Sequence, residues 1–353
     1  MNRQTLAILF ALTFGAAQAQ SCLPGGITFV SQAEVDNFPL NNPGCKTIEG
    51  NVYVLGSSVQ NLNGLSQIEH IGGDLLISDN PQLASLDGLP KLKTIGGACR
   101  VQNNPLLTHL DGLANLSWVK GDFFYIGNNI LLANIEGLAE LDSVSGIFQV
   151  WGHPELTTLK GLGQLQRVSD KLAVFNNAKL AVLEGLDSLI YVGGDLRLEN
   201  NPLLTDISSL NHPVTMQGAL VITDNAALSH CAVKSVCDYL ANPVTFVAIS
   251  DNGNNCASVP TVQTACQTLD TESPFSVQLL VSPNPASHTL RLQGMPASDA
   301  RIKVFSSTGI LILDADVEAA QVFQWNVSDW PIGLYTLHYQ GVQTLALRFL
   351  VAR

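Results

Sequence analysis

The sequence predicts an all-β protein in which a right-handed parallel β-solenoid of seven to eight coils is followed by a small antiparallel β-sandwich. The first observation is a Gly-Leu pair that recurs at Gly64, Gly88, Gly112, Gly137, Gly161 and Gly185, with one step longer than the others by a single residue. A fixed period of this length, about 24 residues, is typical of a solenoid, because one unit cannot bury its apolar face and stacked neighbours complete the core. The second observation is a change after residue 277, where short apolar runs alternate with turn residues, as in a small sandwich.

Each repeat contains a short strand and then a series of turns. Leu75 and Ile77 alternate with Leu76 and Ser78, which is the period of a strand. Apolar residues then come at every third position, at Leu83, Leu86, Leu89, Leu92 and Ile95. This spacing does not suit an α-helix, whose apolar stripe needs mixed steps of three and four. We therefore expect parallel strands stacked in register about 4.8 Å apart.

A column of asparagines follows the same period. Its predicted members are Asn80, Asn104, Asn128, Asn177, Asn201 and Asn225, with His153 in one coil. Buried amides stacked on their copies can satisfy the backbone groups of successive turns. We expect a structural ladder in which His153 replaces an amide, because imidazole can also donate and accept hydrogen bonds.

The ends of the chain divide into segments with different patterns. Residues 1–19 have the pattern of an export signal: Arg3 near the start, an apolar run too short for a membrane span, and the cleavage site Ala17-Gln18-Ala19. The mature chain is expected to begin at Gln20 and to lack a membrane span. We expect an N-terminal cap over 20–49, the solenoid over 50–230, a C-terminal cap over 231–266, a linker over 267–277 and the sandwich over 278–353.

Export makes disulfides the expected state of the cysteines. Cys22 and Cys45 flank the start of the repeats and are expected to pair. Four others flank the end, where an open solenoid needs a cap, and of their three pairings we favour Cys231–Cys256 with Cys237–Cys266 over a metal site. Cys99 is expected to be a buried free thiol, in an inward column with Leu75, Phe123, Phe148, Leu172 and Leu196.

Composition and motifs exclude several function classes. A net charge of −12 argues against nucleic acid, which needs a basic face. The sequence has no H-E-x-x-H, no G-x-S-x-G and no phosphate loop, so neither a catalytic site nor a cofactor is predicted. The segment 251–255 lacks the closing Glu of a calcium loop and is interpreted as a turn.

The outward columns of the aligned strands hold the candidate site. They place large apolar side chains on adjacent coils, flanked by two arginines: Phe124, Ile126, Trp151 and Phe175, with Arg100 and Arg197. Such side chains on an exported protein favour an interaction surface for a protein or, because flat rings suit sugars, a glycan. The alternatives are that a loop or the C-terminal domain covers the patch, or that the columns are aligned in the wrong register.

Two other function classes stay open at this point. A polysaccharide-degrading surface enzyme would show a close pair of exposed carboxylates in a groove. A structural surface or matrix component would have no specific ligand.

The repeat motif GG-x-L-x-I-x-x-N-P-x-L-x-x-L-x-G-L-x-x-L resembles that of the receptor L domain, a leucine-rich-repeat-like β-helix. The resemblance covers residues 22–266. It implies the solenoid fold and says almost nothing about the ligand. No receptor-like transmembrane segment follows the repeats, so signalling of the receptor kind is not implied.

The segment 278–353 resembles the type A C-terminal sorting domain of the type IX secretion system of Bacteroidetes-type bacteria. The matching features are Pro283-Asn284-Pro285, the turn Ser306-Ser307-Thr308-Gly309, Gly333-Leu334-Tyr335 and a terminal strand with Arg348. The family usually has Lys near that arginine, and the charge is kept here. The resemblance implies that the secretion machinery is a partner, and that the protein is secreted or attached to the cell surface after this domain is removed.

Overall fold

The computed structural model describes residues 21–271, 280–293, 300–307, 309–317, 323–340 and 344–352. The chain divides into two compact units at Gln267, and each unit has its own buried core. The export signal predicted for 1–19 and residues 272–277 of the predicted linker lie outside the described residues. Within the ranges just given, no helix has both the length and the apolar character needed to cross a membrane.

A parallel sheet of ten strands forms one wall of the first unit. Its side chains alternate between the core and the outer face, as the repeat pattern predicts. Numbered in chain order, its strands are β2 (Ile27–Phe29), β4 (Val52–Val54), β6 (Leu75–Ser78), β8 (Cys99–Gln102), β10 (Phe123–Gly127), β12 (Ile147–Trp151), β14 (Leu172–Phe175), β16 (Leu196–Glu199), β18 (Leu220–Thr223) and β19 (Val247–Ser250).

A second parallel sheet has nine strands of two residues each. Its strands are β1 (Ser21–Cys22), β3 (Thr47–Ile48), β5 (His70–Ile71), β7 (Thr94–Ile95), β9 (Trp118–Val119), β11 (Ser143–Val144), β13 (Arg167–Val168), β15 (Tyr191–Val192) and β17 (Thr215–Met216). Short 3₁₀ turns occupy Asn63–Leu65, Asp111–Leu113, Glu136–Leu138, Lys160–Leu162, Ser208–Leu210 and Asn254–Cys256.

The core of the first unit includes the apolar residues that recur every third position, together with the inward residues of the strands. Leu83, Leu86 and Leu92 are each 0% exposed. The Gly of the repeated Gly-Leu pair has a steric reason, because a Cβ at Gly112 would overlap the carbonyl group of Leu86 in the preceding coil. At Gly112 the two coils therefore approach each other too closely for a side chain.

A column of buried amides lies where the strands of the ten-stranded sheet end. The Nδ2 group of Asn104 donates to the carbonyl oxygens of Ile77 (3.1 Å) and Gln102 (2.9 Å), and its Oδ1 accepts from the backbone N–H of Asn80 (3.2 Å). The pattern continues to Asn252, which the sequence pattern does not single out and whose Oδ1 accepts from the backbone N–H of Asn225 (3.0 Å). The fully buried members are Asn80, Asn104, Asn129, His153, Asn177, Asn201 and Asn225.

The prediction that Asn128 belongs to this ladder is wrong. Asn128 is exposed and has a φ of 52°, whereas Asn129 is 0% exposed and takes the ladder position. The cause is one extra residue in this coil. The backbone N–H of Gly121 bonds to the carbonyl of Gly97, which lies one regular repeat step earlier in the chain. Phe124, however, pairs with Cys99, so the spacing at this point is one residue longer than the regular step.

His153 occupies its ladder position without an amide. Its Nδ1 lies 3.1 Å from the carbonyl oxygen of Asn129, and its Nε2 lies 3.1 Å from that of Ile126. Burial lowers the pKa of His153 below its ordinary value, and the two backbone contacts oppose this shift only in part. A neutral ring has one N–H, so it can donate to one of these two carbonyls at a time.

Both ends of the first unit contain α-helices, which corrects the all-β prediction. Helix α1 (Gln32–Asn41) begins with a capping box between Ser31 and Glu34, a signal for a helix start. Helix α2 (Lys234–Ala241) precedes β19 in the chain, and helix α3 (Val259–Thr271) follows it. Because α3 continues to Thr271, the first residues of the predicted linker are helical.

Three disulfides cross-link the two end segments, one within the N-terminal segment and two within the C-terminal segment. Cys22 bonds to Cys45 in the N-terminal segment. The four C-terminal cysteines form the pairs Cys231–Cys256 and Cys237–Cys266, which is the pairing favoured from the sequence. Cys99 is free and buried. Its column neighbour is Phe124 and not Phe123, again because of the extra residue.

The second unit contains two antiparallel sheets around a shared core. The first has β20 (Leu280–Ser282), β21 (Thr289–Gln293) and β24 (Phe323–Asn326). The second has β22 (Ala300–Ser306), β23 (Leu311–Val317), β25 (Gly333–Gln340) and β26 (Thr344–Val351). Buried residues from both sheets, such as Leu290, Ile302 and Leu337, belong to one cluster.

Candidate ligand-binding face

Two of the residues predicted to face outward are in the core. Phe124 and Ile126 are both 0% exposed, and the Phe124 ring stacks on that of Phe148 with centroids 5.1 Å apart. The prediction for these two is wrong for the reason that applies to Asn128. The extra residue at positions 122–123 moves the following side chains of β10 to the opposite face, because side chains alternate along a strand.

The neighbours of these two residues take the outward positions. Tyr125 pairs with Arg100 and Gln149, and Gly127 pairs with Gln102 and Trp151, so the outer columns now run through Tyr125 and Gly127. The strands β10 and β12 are each one residue longer than β8 and β14, which adds Phe123 and Ile147 to the same face. We call Phe123, Tyr125, Ile147, Trp151 and Phe175 the strand-face cluster; all are partly exposed.

The aromatic rings of the cluster contact one another across three strands. Phe123 and Tyr125 stack with centroids 4.5 Å apart and planes at 19°. Trp151 and Phe175 are nearly parallel, at 5° and 5.7 Å. Tyr125 joins the two pairs through an edge contact with Trp151 at 5.6 Å. These contacts hold the rings in one arrangement while part of each surface stays in water.

Gly127 gives Trp151 its place on this face. A Cβ at Gly127 would overlap the six-membered ring of the indole, so the indole lies across the backbone of the neighbouring strand. A glycine inside a strand commonly marks such a close approach. Because any side chain at this position would displace the ring, Gly127 positions Trp151.

Arg100 and Arg197 occupy the same column, as predicted, but have different surroundings. Arg197 pairs with Asp195 (3.3 Å) and with Glu199, and both partners raise its pKa above the usual value. The positions equivalent to these carboxylates beside Arg100 hold Ala98 and Gln102.

Arg100 lies against rings instead of carboxylates. Its guanidinium carbon is 4.8 Å from the centroid of Phe123 and 5.5 Å from that of Tyr125, which is cation–π range. Its buried Nε has no hydrogen-bond partner among the described residues. A shallow depression beside it is lined by Tyr53, Asp74, Leu76 and Phe123. Asp74 forms no ion pair with the arginine, and its Oδ1 accepts from the backbone N–H of Ala98 at 2.8 Å.

A second aromatic column on the nine-stranded sheet has no counterpart in the predicted site. Trp118 is 42% exposed, donates from Nε1 to Ser145 (3.0 Å) and has the ammonium of Lys120 over its ring. Arg167 lies 4.3 Å from the ring centroid of Tyr191. Strand β11 separates the Trp118 contact on β9 from the Arg167–Tyr191 contact on β13 and β15, whereas the strand-face cluster is continuous.

The described residues offer no group of three or more metal-ligating side chains. Asp251 has a φ of 57° at the end of β19, and the neighbouring Asn252 is the last rung of the amide ladder. The segment 251–255 therefore serves the ladder as a turn.

Comparison with protein families matches two segments of the chain. The model of the receptor L domain matches residues 44–136, and the model of the secretion system C-terminal sorting domain matches residues 280–352. Comparison with curated proteins finds no match. The first match agrees with the parallel sheets of the first unit. The second, to the type IX sorting domain, indicates secretion or attachment to the cell surface.

Proposed function

We propose that this chain, whose repeats match the receptor L domain and whose last segment matches the type IX sorting domain, is an exported, non-catalytic binding or adhesion module. Its ligand, a glycan or a protein, would lie on the outward face of the ten-stranded sheet. The observation that carries the proposal is the strand-face cluster, in which large apolar side chains point away from the core on three adjacent strands.

The exposure of these side chains has a free-energy consequence. Leaving a large apolar side chain in water instead of burying it forgoes roughly 1.5–3 kcal/mol, and the ring contacts recover only part of this. A ligand that covers the cluster would recover more. Aromatic residues beside an arginine are also the composition favoured at the centres of binding interfaces.

Two carboxylates of the same face support a non-catalytic role. Asp195 and Glu199 both pair with Arg197. A glycoside-cleaving site instead needs two carboxylates that face the scissile bond from opposite sides. An arginine between two acids, with both held by it, fits a structural ion pair.

The second unit supports the export part of the proposal. The sorting domain implies that the secretion machinery recognises residues 280–352 before the protein reaches its final location. The binding face belongs to the first unit, which has its own core and disulfides. In the proposal the first unit binds, and the second directs it to the cell exterior.

A screen of the chain 20–353 against glycan and protein arrays tests the proposal. Gln149 lies at the centre of the face, with Tyr125 and Ala173 as strand neighbours, so Gln149→Arg should block binding without touching the core. Ser143→Arg, on the nine-stranded sheet, is the matched control and should leave binding intact. Ligands that bind both variants equally, or release of reducing ends from a bound polysaccharide, would contradict the proposal.

A further inference from the structure

Two cations flank the strand-face cluster, and neither has a carboxylate partner. Arg100 on β8 has no ion pair among the described residues, for the reasons given above. Lys171 directly precedes β14 and lies next to Ile147, since the carbonyl of Lys171 accepts from the N–H of Phe148. Leu172 points into the core, so alternation directs Lys171 outward. It too has no ion pair in the part of the chain that the structure describes.

Some other cations of the first unit do form ion pairs. Lys46 and Lys93 both pair with Glu69, Lys179 pairs with Glu155, and Arg197 has two partners on its own strand. Arg100 and Lys171 make no such pair among the described residues, so a carboxylate of a ligand can pair with them.

The resulting surface is apolar in the centre and has one cation without an ion pair on each of two sides. Asp74 lines the depression beside Arg100, and Asp195, which precedes β16, is the strand neighbour of Lys171. Because β8 and β14 are three strand steps apart, the cations are separated by roughly 14 Å across the strands. Along the strands the cluster extends over the full length of β10 and β12, or about 13 Å. A stable interface of two folded proteins buries much more surface than this, so the cluster has the size of a site for one segment of a partner.

We propose, on the basis of the function proposed above, that the strand-face cluster binds a protein segment in which carboxylate side chains flank apolar ones. The carboxylates would pair with Arg100 and Lys171, and the apolar side chains would cover the rings. Arginine suits this role because its planar donors match a carboxylate in a bidentate manner.

Three observations favour a protein segment over an acidic glycan. Phe123 stacks with Tyr125 and Trp151 stacks with Phe175, so part of the ring surface on which a sugar would stack is already in contact with another ring. Ile147, a branched aliphatic side chain, lies among the rings. The chain has a net charge of −12, which repels a polyanion more strongly than a segment with two carboxylates.

Selection from a library of short random peptides against the chain 20–353 tests the proposal. We expect enriched peptides to carry Asp or Glu beside aromatic or aliphatic residues. For one selected peptide, Arg100→Gln should weaken binding about tenfold and Lys171→Gln severalfold, as for charges that pair across an interface. A Glu→Gln peptide should lose the sensitivity to Arg100→Gln. Arg167→Gln, which removes an arginine from an aromatic ring on the other sheet, is the matched control and should change nothing.

The other results each overturn one statement. Peptides without acidic residues, or equal binding by wild type and Arg100→Gln, would overturn the proposed partner. If polygalacturonate bound in an Arg100-dependent manner and no peptide did, the occupant would be an acidic glycan; the proposed function would stand and this inference would be wrong. If no peptide or polygalacturonate binding responded to Gln149→Arg, both proposals would fail.

Discussion

The register of β10 decides which residues the binding face contains, and two adjacent phenylalanines test it. Phe124 is 0% exposed and stacks on Phe148, whereas Phe123 is partly exposed and stacks on Tyr125. Truncation of a buried phenylalanine to alanine typically costs about 3–5 kcal/mol, because a cavity remains. Loss of a surface ring pair costs about 0.5–1.5 kcal/mol. We therefore expect Phe124→Ala to be at least about 1.5 kcal/mol more destabilising than Phe123→Ala.

Urea unfolding of the two variants, followed by far-UV circular dichroism, measures this difference. The slope of the free energy against urea should stay that of the wild type, so that the midpoints report stability. Equal midpoints would mean that both rings are comparably buried. A lower midpoint for Phe123→Ala would restore the register read from the repeat columns alone and would remove Phe123 and Tyr125 from the face.

Further predictions concern the amide ladder, the free thiol and the two units. Asn129→Gly should lower the free energy of unfolding by about 1–3 kcal/mol, because it leaves the backbone N–H of Asn104 and the carbonyl of Val101 without their partner. Asn128→Gly should be tolerated, because the native φ at that position is 52°, which glycine adopts readily. Burial lowers the pKa of His153 in the folded state, so protons bind preferentially to the unfolded chain and stability should fall as the pH drops below about 6.5. His153→Asn should reduce this loss in unfolding curves at pH 7 and 5, and an unchanged pH dependence would contradict the assignment. Burial raises the pKa of the Cys99 thiol, so Ellman's reagent should find no reactive thiol in the folded protein and one after unfolding; rapid labelling of the native chain would contradict its burial. Removal of 278–353 should leave a folded, disulfide-linked first unit that is not exported, and export of the shortened chain in a host with the type IX system would contradict the sorting role.

Periodicity predicts most of the first unit because each coil repeats the same packing problem. The regular step of the repeat places Leu75, Cys99 and Leu196 on inward positions, and the structure shows all three buried. The caps do not repeat, so the periodic pattern could not place α1, α2 or α3. The capping box at Ser31 and Glu34 was the one local signal for the first of these helices.

The register error had a specific cause in the residues themselves. The longer coil contains the pairs Phe123-Phe124 and Asn128-Asn129. If the alignment of this coil is shifted by one residue, a phenylalanine still falls in the strand column and an asparagine still falls in the ladder column. Neither the strand pattern nor the asparagine column could therefore locate the extra residue. The hydrogen bond of Gly121 and the strand pairing of Phe124 show that the extra residue lies between Gly121 and Phe124.

The position of the two outward arginines in the repeat does not predict which groups they contact. Arg100 and Arg197 are equivalent in the repeat, but their neighbours two positions away along the strand differ in charge. Only the spatial arrangement shows that Arg197 is paired and that Arg100 lies on the rings of Phe123 and Tyr125.

The affinity of a Trp151→Ala variant for a ligand of the first unit tests the central claim most directly, with Trp118→Ala as its matched control. Both tryptophans are at least partly exposed, but Trp151 belongs to the strand-face cluster and Trp118 lies on the other sheet. We expect Trp151→Ala to weaken binding by about 2 kcal/mol or more, roughly 30-fold in Kd, with a smaller change in the free energy of unfolding. Trp118→Ala should bind like the wild type. Unchanged binding by Trp151→Ala, or a loss of stability as large as that of a buried tryptophan, about 3–5 kcal/mol, would contradict a ligand-binding role for this face.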